Sequence, residues 1–230
     1  MSSSNLNWEK IADHYPPSVG IDDWRELHKE KHWRKGYSAY ELAVSWESAD
    51  PFLPQEIKEL FGESAELLAA IPEHKTPLPG GNTPSQSDVL AFIRSEGKVY
   101  AVAVEGKVKE SFGPTVGKWR KKASAGKKER LESIRKTLGL PNPVPDKIRY
   151  QLLHRTASAV IEAKHFGADR AAMIVHSFAY KHKSREDSEL REDFLLFLEL
   201  FGINSVESKE PYTDTENGKP LYFAWASPQR

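Results

Sequence analysis

Asp88, Glu105 and Lys107 are the residues of this chain whose types and spacing could do chemistry together. Residues Asp88 to Arg94 read as one strand, with Val89, Leu90, Phe92 and Ile93, and Val99 to Val104 as a second, almost unbroken apolar one. Glu96-Gly97 between them reads as a two-residue turn. With that turn, Ser95 faces Lys98, and counting outward sets Asp88 opposite Glu105. Opposed residues share a face, with Cβ atoms roughly 4.5–5.5 Å apart. Side chains alternate with period two, so Glu105 and Lys107 also share that face and Gly106 points to the other. Two opposed carboxylates repel each other unless a cation lies between them. Hard oxygen ligands suit Mg²⁺, which takes one or two carboxylates plus phosphate and water. Such a metal polarises a phosphate and lowers the pKa of a bound water. Lys107 could then stabilise the attacking hydroxide or the developing phosphorane charge. A Glu-x-Lys pair alone reads more simply as a strand ending at the solvent edge, with Lys109 and Glu110 continuing it. The register with Asp88 is what lifts it above that.

The surrounding elements must hold this hairpin. Ser38 and Glu41 have capping-box spacing at the start of a helix with Tyr40, Ala43 and Val44 on its apolar side. Pro51 and Pro54 end it, and a second helix is expected from Pro54 to Ala70, burying Leu67 and Leu68. Residues Pro72 to Gln86 read as a long loop rich in Pro and Gly, of the kind that is often functional or mobile. Val108 to Phe112 either continues the second strand or begins a third. Further helices are expected over Lys127 to Leu138, Lys147 to Phe166 and Ser184 to Phe201, the last two closed by Gly167 and Gly202. Ala171 to Phe178 reads as a buried strand, and Asn217-Gly218 as a hairpin turn between segments near Val206 and Leu221 to Trp225. The fold class is α/β, with helices flanking a central mixed β-sheet. Residues 1–36, with Trp8, Trp24, Trp33 and a short helix over Asp22 to Lys35, read as an extension packing on a domain of residues 37–230.

Ser87-Asp88, a hairpin, and Val104-Glu105-Gly106-Lys107 together resemble the motif that names the PD-(D/E)XK nuclease superfamily. The resemblance covers Tyr37 to Phe178 and implies a restriction-endonuclease-like αβββαβ core. Ser87 stands where that motif has proline. The resemblance implies a nuclease dependent on Mg (or Mn) and acting on nucleic acid, DNA before RNA. It makes Asp88, Glu105 and Lys107 the catalytic set, with Asp88, Glu105 and Glu41 as metal ligands. Gln151, near the start of the crossover helix, matches an accessory polar residue of the family. His154 and Arg155, one turn on, read more simply as exposed helix polarity. The alternative is an inactive nucleic-acid-binding or protein-interaction member of the same fold.

Composition narrows the rest. The chain has 230 residues and a formal net charge of +0, so bulk charge does not argue for nucleic acid. The distribution does. Lys118, Arg120, Lys121, Lys122, Lys127 and Lys128 crowd one stretch after the candidate site, where they could track phosphates. Trp119 among them could stack on a base, although a core tryptophan is the simpler reading. Asp187, Glu189, Glu192 and Asp193 form an acidic counterpart, so a second copy of the chain is a further candidate partner. There is no cysteine, which excludes disulfides and thiolate zinc sites. His28 and His32 are four apart but lack a third ligand in view, Gly80-Gly81 is not followed by Lys-Ser/Thr, and no G-x-S-x-G occurs. No apolar run is long enough for a membrane span, and a cytoplasmic location is the expectation.

Overall fold

A computed structural model describes residues 20–28, 30, 33–49, 52–179 and 185–228. Expectations that fall on Trp8, His32, Pro51 and Ser184 lie outside these residues. The elements are α1 (Ile21–Glu26), α2 (Ser38–Ala49), α3 (Gln55–Phe61), β1 (Glu66–Thr76), β2 (Ser85–Ser95) and β3 (Lys98–Lys107). There follow α4 (Val116–Arg120), α5 (Ala125–Thr137), α6 (Tyr150–His165), β4 (Arg170–Ser177), α7 (Arg185–Leu198), a 3₁₀ turn (Glu199–Phe201) and β5 (Leu221–Ala226). The fold is α/β, and its central five-stranded sheet runs β1-β2-β3-β4-β5. β1, β2 and β3 are antiparallel, while β3-β4 and β4-β5 are parallel. A parallel neighbour requires a crossover, and α6 supplies it between β3 and β4.

The β2-β3 hairpin has the register counted from the turn, from Ser95↔Lys98 to Val89↔Val104. Glu96 and Gly97 both have positive φ, 50° and 70°, as a two-residue turn matching strand twist requires. Alternation along the hairpin divides the core into two layers. Leu90, Phe92, Ala101 and Ala103 pack with α6 residues such as Leu152 and Val160. Val89, Ile93, Val102 and Val104 pack on the other face with Leu42 and Trp46 of α2 and Ile57 of α3. Both faces of β3 are therefore covered, which accounts for its unbroken apolar run.

Five expectations are corrected. The helix expected from Pro54 to Ala70 ends at Phe61, where Gly62 turns the chain at φ 88°, and Glu66–Thr76 is a strand. Glu, Leu and Ala favour helix locally, but pairing with β2 wins. Pro72 is tolerated inside that strand because β1 is an edge. The expected Pro72 to Gln86 loop therefore shrinks to 77–84, and it is tied down. Arg130 of α5 donates to the carbonyls of Pro79 and Gly81, each at 3.0 Å. Gly80 lies so close to α5 that an added Cβ would meet the Gly126 carbonyl at 2.1 Å. The Val108 to Phe112 segment adds no strand, so the third strand before the crossover helix is β1. At the C-terminus, Tyr212↔Leu221 is an isolated bridge, and β5 joins β4 in parallel rather than a hairpin with Val206. The short N-terminal helix covers only Ile21–Glu26; Trp24 is buried against α2 and donates to Glu47 at 2.6 Å.

Candidate active site

Asp88 precedes the last paired residue of β2, and Glu105 and Lys107 end β3. All three meet at the end of the hairpin, on the face that α6 covers. Glu105 is buried and accepts from three side chains. Gln151 Nε2 donates to Oε1 at 2.7 Å, Arg155 Nε donates to Oε2 at 2.6 Å, and Lys107 Nζ also donates to Oε1. Asp88 is half-buried: its Oδ2 accepts the Gly106 N–H at 2.8 Å, and its Oδ1 lies 3.8 Å from Arg155 Nη2. That second separation is too long for a hydrogen bond. Lys107 Nζ also sits 5.1 Å from the centroid of Phe112.

Gln151 lies in the first turn of α6 and Arg155 one turn further, so both reach the same carboxylate. Arg155, expected as exposed helix polarity, is only 8% exposed and stands at the centre of the site. Sequence reasoning also misses Glu73, because Pro72 to Gln86 reads as a loop and the strand that carries Glu73 is hidden. Glu73 has φ 53° and interrupts the alternation of β1, so that both Ile71 before it and His74 after it face α6. Gln86 donates to the Glu73 carboxylate, and His28 Nε2 lies 3.5 Å away.

The charges here are unevenly balanced. Burial raises Glu105, but the Lys107 ammonium and Arg155 guanidinium outweigh it and hold the carboxyl at about 2. Asp88 goes the other way: burial and then the Glu105 charge push it up to about 8, against Arg155 and Lys107. Glu73 is raised to about 7, first by burial and then by Glu105, against its Gln86 hydrogen bond and Arg155. The site holds more carboxylate than its two cations neutralise, and Asp88 bears the deficit. His154 is pushed down to about 3 by burial and by Arg155, so it is neutral; its Nδ1 pairs with Ser85 Oγ at 2.8 Å.

Glu41 is buried on α2 and accepts the Gly36 N–H at 3.0 Å, while Ser38 bonds to Glu110. The expected Ser38–Glu41 capping box is therefore not formed. Leu42, next to Glu41, fills the space left by the absent Gly106 side chain. Among the described residues, no group of three or more His, Cys, Asp or Glu side chains is placed to hold a metal ion by itself. Among the described residues, Asp88 Oδ1 accepts no hydrogen bond and meets only the more distant Arg155 guanidinium, whereas both Glu105 oxygens are engaged by Lys107, Gln151 and Arg155. Of the basic residues, Lys118, Arg120, Lys121, Lys122 and Lys128 are exposed on and between α4 and α5. Lys127 is half-buried and lies over the Trp119 ring.

A mixed sheet with helices on both faces, carrying a buried acid–lysine–arginine cluster at one hairpin end, defines an α/β protein with a charged site. The chain belongs to the DUF6946 family, a domain of unknown function, whose profile matches residues 17–230. No curated protein and no solved structure matches it. No helix among the described residues is long and apolar enough to cross a membrane.

Proposed function

We propose that this protein is a metal-dependent nuclease that hydrolyses phosphodiester bonds in nucleic acid, with DNA the first substrate to test. The observation that carries the reading is the convergence of Asp88, Glu105 and Lys107 at one hairpin end, with Gln151 of the crossover helix bonded to Glu105. The element order α2, β1, β2, β3, α6, β4 adds to it, being the αβββαβ core that the PD-(D/E)XK resemblance implies. The family match carries no activity, so the reading stands on these residues alone.

Asp88 and Glu105 would hold the cation; Glu41, the third acid expected from the sequence, is not grouped with them, since it lies on α2, which covers the other face of the sheet, and accepts the Gly36 N–H. Bound there, a divalent ion supplies Lewis acidity toward the phosphate and acidity to a water. The chain's own residues do the rest. Gln151 and Arg155 fix the Glu105 carboxylate, so its position costs no reorganisation during reaction. Lys107, anchored over Phe112, places an ammonium beside that carboxylate, where it stabilises charge developing on the phosphate. Water adds to phosphorus, one P–O bond breaks, and the leaving oxygen takes a proton. The exposed lysines and arginines of α4 and α5 give sequence-independent, salt-sensitive hold on the backbone.

One observation favours a second reading. Arg155 already supplies Glu105 with a cation, as an internal substitute for a metal would. Under it the protein binds nucleic acid or a protein partner without cutting. Calorimetric titration with Mn²⁺ separates the two. The nuclease reading expects one site lost in Asp88→Asn; no binding to the wild type would leave only the second reading.

A further inference from the structure

We propose that the cavity between α4 and α5 is a subsite for one nucleotide of a single-stranded nucleic acid. Its base would rest against Trp119 and Leu131, and its phosphate on Lys127 and Lys128. The proposal depends on the nuclease reading only for the class of polymer. The cavity holds about 300 Å³, and Trp119, Ala123, Leu131 and Val144 give it an apolar wall. That is the lower end of the roughly 300–1,000 Å³ typical of small-ligand pockets. Its charge is complementary to a phosphate. Two of its cations are already engaged, Arg120 by Asp146 at 2.5 Å and Arg135 by Glu132 at 2.7 Å. Lys127 and Lys128 remain to meet an anion. Lys127 is positioned for it, since its Nζ donates to the Trp119 carbonyl at 3.1 Å and lies 5.0 Å from the ring centroid.

Packed side chains link the wall of the recess to the carboxylate site. The Trp119 ring stacks on Tyr150 at 3.9 Å with an interplanar angle of 15°. Tyr150 is followed on α6 by Gln151, which donates to Glu105 at 2.7 Å. One aromatic layer therefore separates the recess from the turn of helix that positions the Glu105 carboxylate. A base seated in the recess would fix the strand's register relative to that carboxylate. A paired, stacked base cannot enter a recess of this kind, so the occupant is an unpaired nucleotide. With Tyr150 stacked on the Trp119 ring and the Lys127 ammonium 5.0 Å from its centroid, the base would meet the ring beside Lys127, a contact that tolerates any sequence.

The test is fluorescence anisotropy in EDTA, so that no cleavage intervenes, with a short labelled oligonucleotide and an abasic strand of the same length. Wild type is expected to bind the base-bearing strand about five- to 150-fold more tightly than the abasic one. Leu131→Asp should lose that preference, while Lys127→Ala/Lys128→Ala should weaken both strands alike; circular dichroism checks that each variant is folded. If a variant is unfolded, the wild-type comparison decides alone. Equal wild-type affinity for the two strands, or for a duplex of the same length, would overturn the subsite. Base-dependent binding without metal-dependent cleavage would refute only the nuclease reading. Cleavage with base-blind binding would refute only the subsite.

Discussion

Arg155 and Glu105 meet across the interface between α6 and β3, Nε to Oε2 at 2.6 Å, with both side chains almost fully buried. Removing one partner of such a pair leaves an uncompensated charge in the interior. Arg155→Ala should therefore cost about 3–5 kcal/mol in urea unfolding. It would also leave Glu105 and Asp88 facing each other without their shared cation. Added Mg²⁺ should thus recover more stability in this variant than in wild type. Equal responses of the two proteins to Mg²⁺ would show that no cation enters between the carboxylates.

Lys107→Met keeps an unbranched apolar side chain and removes the ammonium that lies over the Phe112 ring. Cleavage should fall roughly 10²–10³-fold, as when one electrostatic stabiliser of a transition state is lost. Glu105 should also titrate higher, since the Lys107 charge is a leading influence holding it down. Single-turnover rates and ¹³C-detected titration of Glu105 check the two effects separately.

Asp88 gives the chain a particular pH dependence. Burial and the Glu105 charge raise it to about 8, so the folded state retains a proton that the unfolded state releases near its ordinary value of 3.8. The unfolded state binds fewer protons in this window, so stability falls as pH rises from about 4 to 8. Glu73, raised to about 7, acts in the same direction. Asp88→Asn stays neutral throughout and can still accept the Gly106 N–H. Its melting temperature should match wild type near pH 4 and exceed it above pH 8, by about 2–4 °C for each kcal/mol of relieved repulsion. Melting curves across that range would show no divergence if Asp88 were ionised without penalty.

Gly106→Ala tests how the hairpin end is fixed. An added Cβ would meet Leu42 Cδ1 at 2.3 Å, so α2 must shift or Leu42 must change rotamer. The expected cost is about 1–3 kcal/mol. The double variant Gly106→Ala/Leu42→Ala should recover part of it, because the clash and the space then compensate. Additive losses in chemical denaturation would mean that the two residues do not touch.

The hairpin was legible because a two-residue turn fixes register by counting, and nothing between Ser95 and Val89 interrupts the ladder. The fold class was legible from the change of hydrophobic period. β1 was not, since its Leu and Ala residues favour helix and Pro72 argues against a strand until the edge position is known. With β1 hidden, Glu73 could not be placed. Arg155 was visible as one turn beyond Gln151, but periodicity alone does not say that a charged helix residue faces a buried carboxylate. The basic stretch was legible as charge. The stacking of Trp119 on Tyr150 brings together residues distant in sequence, and no local pattern announces it.

Nicking of supercoiled plasmid DNA, run in Mg²⁺, in Mn²⁺ and in EDTA for wild type, Asp88→Asn and Lys107→Met, bears most directly on the assignment of Asp88, Glu105 and Lys107. The account predicts conversion to open-circular or linear DNA with wild type and either metal, none in EDTA, and little or none with the two folded variants. Intact plasmid under every condition, or cleavage that both variants retain, would contradict it.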